Sequence, residues 1–581
     1  MTKKLILDIE TTELVNRNVG TIWMMGTKDL QTNQIKHYFP LHDLEEIKND
    51  LAGYTHIIGH NVIGFDLPVL EEHLGLDFSG HEIIDTLVLS RLFNPQLEDG
   101  HSLKAWGDRL KSPKGDHDDW TQLSPEMIKY CERDLDLTHH VYTTLIKKLE
   151  SFTGESVELE HEVQKIITKQ VDNGWLVDQR KLHDLQAKLK ERKMELEDEV
   201  HEKFIPLPTS TEETIEPELI KGGSRYKITN IKFLGDDMCN VGGPFTRVDW
   251  NEFNLGSRQQ IARHLEFYGW KPKDFTPTGR PLVDEEVLSK VNIPEAQLIA
   301  EYLMIVKRVG MVDSWLEKTE EDGRVHGSVN TIGAVTGRMT HSGPNVAQVP
   351  ASYSPYGKEC RSCWTVPEGY KLVGVDASGL ELRMLAHYMN DKEYTNEVIN
   401  GDIHTANQIA TGLTTRDNAK TFIYAFLYGA GDSKIGSIVG GSKKDGARLK
   451  DEFLRNTPAL RDLRERVERV VNTKGYLVGL DGRKLIIRSP HAALNTLLQS
   501  AGAIIMKKAL TTLDTYAKIH NIEYRFVANV HDEFQTEVVK KQAEEFGWLA
   551  VECIKDAGIK FNMRCPLDGD YKIGTNWAET H

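Results

Sequence analysis

The chain has 581 residues, 39% hydrophobic and 27% charged, with a formal net charge of −16. This is the composition of a globular protein rather than a disordered one, and the length suggests roughly four domains. Six scattered cysteines argue against a disulfide framework, no apolar run is long enough to span a bilayer, and the net negative charge argues weakly against a nucleic-acid partner without excluding a basic cleft.

The N-terminal "MTKKLILDIETT" is interrupted by acids at once, so it is no signal peptide, and a cytoplasmic protein is expected. "KKLILDIE" and "THIIGHNVIGF" read as strands and "MIKYCERDLDLTHHVYTTLIKKLE" as a helix, which together make an α/β unit. Asp8 and Glu10 are two apart on a strand, so both side chains point to one face. Asp66 follows "GHNVIGF", and Asp134 lies one helical turn after Tyr130 in "YCERD". Acids from three elements can converge on divalent cations, and such hard oxygen donors suit Mg²⁺ or Mn²⁺. Each acid taken singly is better read as a solvated strand or helix end.

The ordered set D-x-E, N-x-x-x-F-D and Y-x-x-x-D resembles the DEDDy 3′–5′ exonucleases, which have an RNase H-like fold. The resemblance implies that Asp8, Glu10 and Asp134 are metal ligands, that Asp66 completes the acid set and that Tyr130 orients the attacking water. "DTLVLSRLF" and "HSLKAWGDRL" are likewise similar to proofreading domains of DNA polymerases.

From about 156 to 204 the pattern is helical, with Leu182, Leu185, Leu189, Leu196 and Val200 at helical spacing. Residues 205–257, rich in Pro, Thr, Glu and Gly, break that pattern and read as an inserted, mobile segment. Helices return at "SRQQIARHLEFYGW" and "EAQLIAEYLMIVKRVGMVDSWLEK". Cys360 and Cys363 form a lone C-x-x-C with no second Cys or His pair at zinc spacing.

"KLVGVDASGLELRMLAH" runs from an aliphatic strand into Asp376 and then into a helix carrying Glu381. "ANVHDEFQ" ends another strand on His531, Asp532 and Glu533. Adjacent buried acids repel, so a positive charge must hold them. If the two strands pair, Asp376 and Asp532 can bracket two Mg²⁺ ions, one activating a hydroxyl and the other stabilising departing pyrophosphate. Between them, in "RDNAKTFIYAFLYGAG", Arg416, Lys420, Tyr424 and Tyr428 recur every four residues and form a drifting stripe on one helix. Two cations followed by two phenols suit phosphates followed by sugar and base, and His404 can add a donor. Read alone, the stripe is an ordinary solvated helix face.

"DASGLELR", "RDNAKTFIY", "SPHAALNTLLQSAGA", "VHDE" and "GTNWAETH" resemble the motifs of family A DNA polymerases, nearest to the replicative polymerases of short-tailed (T7-like) bacteriophages. The resemblance implies an α/β multidomain chain: an RNase H-like 3′–5′ exonuclease domain (1–150), a thumb (151–324) with an insertion at about 205–257, palm (325–389), fingers (390–494) and palm again (495–581). It implies that Asp376, Asp532 and the Ala377 carbonyl are metal ligands, with Glu533 in support. Glu381 would exclude ribonucleotides. Arg416, Lys420 and His404 would contact the triphosphate, while Tyr424 and Tyr428 would lie at the sugar and the templating base. Arg338 and Gln499 match positions touching the primer–template minor groove, where every base pair offers acceptors, and His531 would also meet DNA. Two Mg²⁺ ions are implied at each site, with Mn²⁺ as a substitute.

The expected partners are primer–template DNA and dNTPs, together with a replisome helicase/primase and single-strand-binding protein, around a monomer in the cytoplasm of an infected bacterial host. Related phage enzymes recruit host thioredoxin as a processivity factor through a longer thumb insertion. Here residues 205–257 are shorter and carry Glu212, Glu213, Glu216 and Glu218. Thioredoxin, another clamp and DNA itself remain open as partners, with length and charge weighing against thioredoxin. The chain starts at the proofreading domain, so flap removal during gap repair is not expected of it. The alternative is a 3′–5′ exonuclease whose C-terminal part only binds DNA, for which Asp376, Asp532 and Lys420 are superfluous. A single-subunit RNA polymerase would need neither the exonuclease acids nor Glu381.

Overall fold

The structure, a computed structural model, describes residues 3–13, 19–216, 218–221, 223, 225–232, 238–251 and 253–581. The chain divides into two compact units, one formed by residues 1–178 and 318–581, the other by Gln179–Glu317. The second unit is therefore shorter at both ends than the 151–324 segment expected from sequence.

In the first unit, strand Lys4–Thr11 buries Leu5, Ile6, Leu7 and Ile9, so both of its faces are covered. It lies in a five-stranded sheet ordered Ile35–Tyr38, Ile22–Asp29, Lys4–Thr11, His56–Gly59, Glu82–Asp85. The last three strands run parallel and the first two antiparallel to their neighbours. Helix Pro125–Lys148 starts with proline at its first position, and the Ser124 hydroxyl accepts the Met127 N–H at 3.1 Å. Its Cys131, Leu135, Val141 and Leu145 pack with Ile6 and Met24 in one core cluster.

Helix Gly154–Asn173 joins this sheet to the C-terminal part of the unit. Its His161 Nε2 accepts the Asp85 N–H at 2.9 Å, and its Val163, Ile166 and Ile167 enter the large core beneath the second sheet. Glu160 on the same helix lies 2.7 Å from the Lys507 ammonium through both carboxylate oxygens and 2.6 Å from Arg483, which also grips Asp481. The helix stops at Gly174, whose φ is +60° and where a Cβ would meet the His326 ring at 2.7 Å.

The second sheet is antiparallel, ordered Tyr524–Val530, Glu533–Val539, Tyr370–Ala377, Gly569–Gly574. The strand ending at Asp376 pairs with the return strand Glu533–Val539 rather than with the strand leading into "VHDE". Helix Ala493–Ile519, buried along most of its length, shares the sheet's core with helix Ala543–Lys560. Cys360 and Cys363 are both buried, and the Cys363 thiol donates to the Glu359 carbonyl at 3.3 Å.

In the second unit, helices Gln179–Lys203 and Pro294–Glu317 are tied by a forked Arg192–Glu301 pair at 2.9 and 3.2 Å and by Gln186–Asp313 at 2.6 Å. Leu182, Leu185, Leu189, Leu196 and Val200 are buried, as their spacing requires. Within residues 205–257, where composition suggested an inserted segment without regular pattern, the described residues include two strand pairs: Leu207–Ile215 runs antiparallel to Phe245–Asn251, and Thr229–Lys232 to Met238–Val241. Thr and Ile in these stretches favour extended backbone. Residues 217, 222, 224, 233–237 and 252, within the expected insertion, lie outside the described residues, as do the side chains of Glu212 and Glu213. Among the described residues, no helix is long and apolar enough to cross a membrane.

Candidate active sites

The first site lies at the end of strand Lys4–Thr11. Asp8 and Glu10 share one face, Asp66 opens helix Asp66–Leu74, and Asp134 comes from helix Pro125–Lys148. The Asp66 carboxylate accepts the Ile9 N–H at 3.0 Å, which fixes it against the strand. Burial, reinforced by Glu10, Asp66 and Asp134, raises Asp8 well above the carboxylate range. Burial and then Asp134 push Glu10 up to about 8, and burial pushes Asp66 up to about 7. Burial also raises Asp134, against the pull of Lys114. Four acids in so little water demand positive charge. Glu10 Oε1 and Asp134 Oδ1 are buried without hydrogen-bond partners, so this largely oxygen donor set fits a hard divalent cation. Asp85, a fifth acid nearby, is different: its carboxylate is used up capping the N–H groups of Asn61, Ile63 and Leu87.

Lys114 was not evident in the sequence. Its ammonium lies 2.8 Å from Asp134 Oδ2 and 4.9 Å from the centre of the Tyr130 ring. Tyr130 is further framed by Trp120 and His117, with ring centres at 5.6 and 5.8 Å. All three belong to the stretch between helix Leu103–Leu110 and helix Pro125–Lys148, which lacks any periodicity. The one available signal was the placing of Lys114, His117 and Trp120 among three aspartates in "KGDHDDW", just before the Tyr130 helix.

The second site lies where the antiparallel strands end. Asp376 stands opposite Glu533 in register, and the Ala377 N–H donates to the Asp532 carbonyl at 3.1 Å, which ties the two acidic segments together. His531 turns the hairpin with φ of +56°. Asp376 is pushed up to about 6 by burial, then by Glu533 and Asp532. Burial also pushes Asp532 up to about 6, against Arg338. Glu533 behaves in the opposite way. Burial would raise it, but the His581 ring 3.0 Å away, Gln535 and the Trp577 indole N–H at 2.7 Å hold it below its ordinary value. Two acids are thus left raised while the third is held by hydrogen bonds and the His581 ring. Trp577 and His581 belong to the quoted "GTNWAETH", but nothing in the sequence assigned them to Glu533.

Arg338 reaches Glu381 at 3.2 Å and Asp532 at 3.8 Å, so here it braces acids. Glu381 also accepts the Tyr428 hydroxyl on both oxygens, at 2.6 and 2.7 Å. Helix Arg416–Leu427 carries the stripe: Lys420 is exposed, Tyr424 half-buried, and Tyr428 caps the C-terminus before Gly429 at φ +73°. The Tyr424 and Tyr428 rings stack at 6.4 Å, and His404 lies 6.1 Å from Tyr424. Arg416 forms a forked pair with Asp402 at 2.7 and 3.0 Å. Gln499 is half-buried near the start of helix Ala493–Ile519. On the buried side of helix Arg416–Leu427, Phe422 and Phe426 pack ring to ring with Phe453 of helix Lys443–Asn456 at 5.3–5.9 Å.

Comparison with known proteins agrees with this architecture. The family model for DNA polymerase family A matches residues 234–579. The chain is 36% identical to the DNA-directed DNA polymerase of Escherichia phage T7, over 93% of this chain and 94% of that protein. It is also 36% identical to that of Enterobacteria phage T3, over 90% and 92%. The solved POL domain of Pol1 from M. smegmatis, in complex with DNA primer-template and dNTP, superposes with a TM-score of 0.79. At 18% identity the match covers 100% of this chain and 96% of that one, and it speaks for the fold. With the family model spanning more than half of the sequence and phage relatives aligned over nearly all of it, the chain belongs to DNA polymerase family A.

Proposed function

We propose that this chain is a template-directed, primer-dependent DNA polymerase that proofreads its product with a 3′–5′ exonuclease in its first 150 residues. The observation that carries the reading is the pairing that brings Asp376 and Asp532 to one sheet end, both raised, with Asp532 in electrostatic reach of Tyr424 on the helix that also bears Lys420.

Asp376, Asp532 and the Ala377 carbonyl would hold Mg²⁺ at the synthetic site, and Asp8, Glu10 and Asp134, with Asp66, at the exonuclease. When bound, such ions neutralise phosphate charge, lower the pKa of an attacking hydroxyl or water and stabilise the leaving oxygen. The protein's own contribution is positioning and charge. Lys420, His404 and Arg416, once its fork leaves Asp402, offer donors to a triphosphate. Tyr424 and Tyr428 present flat faces to sugar and base. Glu381, fixed by Tyr428 and Arg338, fills the space a ribose 2′-hydroxyl would need. Arg338 and Gln499 offer donors to minor-groove acceptors common to every base pair, and His531 flanks them. At the other site Tyr130, with Lys114 over its ring, orients the water. The domain limits 1–150, 151–324, 325–389, 390–494 and 495–581 belong to the same proposal. So do a monomeric state, a processivity partner at 205–257 and replisome helicase/primase and single-strand-binding proteins.

An end-labelled primer on a longer template, with Mg²⁺ and dNTPs, tests the reading. Asp532→Ala should abolish extension and keep shortening, while Asp8→Ala should do the reverse. Loss of both activities from one substitution in a folded protein would overturn the two-site assignment.

A further inference from the structure

Asp402 caps the N-terminus of helix Ile403–Thr411, and Arg416 is the first residue of helix Arg416–Leu427. The Asp402 carboxylate accepts the His404 and Thr405 N–H groups at 3.1 and 3.3 Å and the Thr405 hydroxyl at 2.9 Å, so its own helix fixes it in place. The Arg416 fork closes on the same two oxygens at 2.7 and 3.0 Å. That bond is the chief reason why Asp402 is held well below the carboxylate range, so the acid stays charged at neutral pH. Burial, then Arg416 and Lys420, lower the His404 ring, while Asp402 raises it. A capping acid therefore sits within the group of cations proposed to receive a triphosphate.

A guanidinium fork takes a carboxylate and a phosphate with the same two-point geometry. Asp402 thus fills the place on Arg416 that two phosphate oxygens would take. Arg416 is 49% exposed and Asp402 45%, so water competes for both partners and the pair opens easily. The Arg324–Glu537 pair, 10% and 0% exposed, has no such freedom, because opening it would strand buried charge. We propose that Asp402 is a resident competitor for Arg416: it holds the guanidinium in the resting site, yields it to an incoming triphosphate and takes it back as pyrophosphate leaves, and so sets how tightly both anions bind. The proposal rests on the polymerase reading above. Asp402 is a positioning residue that acts through Arg416. No covalent bond changes, and two hydrogen bonds to carboxylate are exchanged for two to phosphate.

Asp402→Asn tests this, because asparagine caps a helix as well as aspartate does but carries no charge. In steady-state primer extension its KM for dNTP should fall by up to about fivefold, the range that exposed ion pairs span, without a rise in kcat. Pyrophosphate binding to the full chain, followed by calorimetry in EDTA, should tighten by a similar factor. Asp402→Ser, which also caps, serves if the asparagine variant does not fold. Asp417 pulls on Arg416 through space, without a hydrogen bond, so Asp417→Asn should shift either value by less than about twofold. An unchanged or higher KM in Asp402→Asn, or pyrophosphate held no more tightly than by wild type, overturns the competition. Equal shifts in the Asp402 and Asp417 variants reduce the effect to net charge and overturn it too. The polymerase reading fails separately, if the wild-type chain leaves the primer unextended, and the pyrophosphate comparison needs no synthesis.

Discussion

Lys114 and Asp134 form a 2.8 Å ion pair inside the N-terminal acid cluster, with the lysine also lying over Tyr130. The lysine comes from an irregular stretch and the aspartate from the middle of a helix, yet the lysine supplies one of the positive charges that four crowded carboxylates require. Burial works against the Lys114 charge, but Asp134 outweighs it, so the ammonium is held more firmly than in water.

Lys114→Gln removes that charge. In EDTA the N-terminal domain should lose about 1–3 kcal/mol, the cost of leaving a buried acceptor without its partner. Mg²⁺ should restore most of the loss, because an ion binding the folded form stabilises it by mass action. Thermal melts with and without Mg²⁺ check this, and an unchanged midpoint in EDTA would show that the pair contributes nothing.

Asp532 titrates at about 6 in the fold instead of near its usual 3.8. Between those values the folded chain binds more protons than the unfolded one, so stability falls as pH rises through the window and the full cost is present above pH 6. Asp532→Asn should therefore stabilise the metal-free protein at pH 8 by an amount of order 1 kcal/mol after solvent screening. Near pH 4 the gain should shrink towards zero. Urea unfolding at the two pH values measures it, and an equal shift at both would rule out the linkage.

Glu533 depends on Trp577 and on the last residue, His581. His581→Ala leaves the indole contact and removes the ring that pulls the carboxylate down. Single-turnover primer extension should slow by about tenfold, the scale seen when groups behind metal ligands are removed. Release of the 3′ label should not change. Because Glu533 is depressed in the fold, it adds stability above its usual 4.5 that is lost as pH falls, and the variant should unfold in acid at a higher pH.

Glu160 holds Lys507 and Arg483 in a site where all three side chains are at most 3% exposed. Glu160→Gln strands two buried cations, so it should cost about 3–5 kcal/mol in chemical denaturation. A cost below 1 kcal/mol would mean that Asp481 alone satisfies the pair.

Much of this was legible along the chain. The D-x-E spacing put Asp8 and Glu10 on one face because strand side chains alternate. The leucines from 182 to 196 marked a buried helix face, and the four-residue rhythm from Arg416 to Tyr428 marked a stripe. Within 205–257 the Pro, Thr, Glu and Gly composition hid two strand pairs, because their partners lie up to about forty residues apart.

What the sequence determined by itself was local: which residues form which element, which face each acid takes and which motifs follow one another. Those properties follow from backbone sterics and periodicities acting over a few residues. Tertiary structure alone decided the partners: Lys114 for Asp134, His581 and Trp577 for Glu533, Arg338 between Glu381 and Asp532, Cys131 beside Glu10, and the return strand rather than its predecessor beside Asp376. The reason is that a charge buried in a poorly polarisable interior must find a counter-charge or hydrogen bond wherever packing brings one. Separation along the chain imposes no limit on that choice, so no local pattern encodes it.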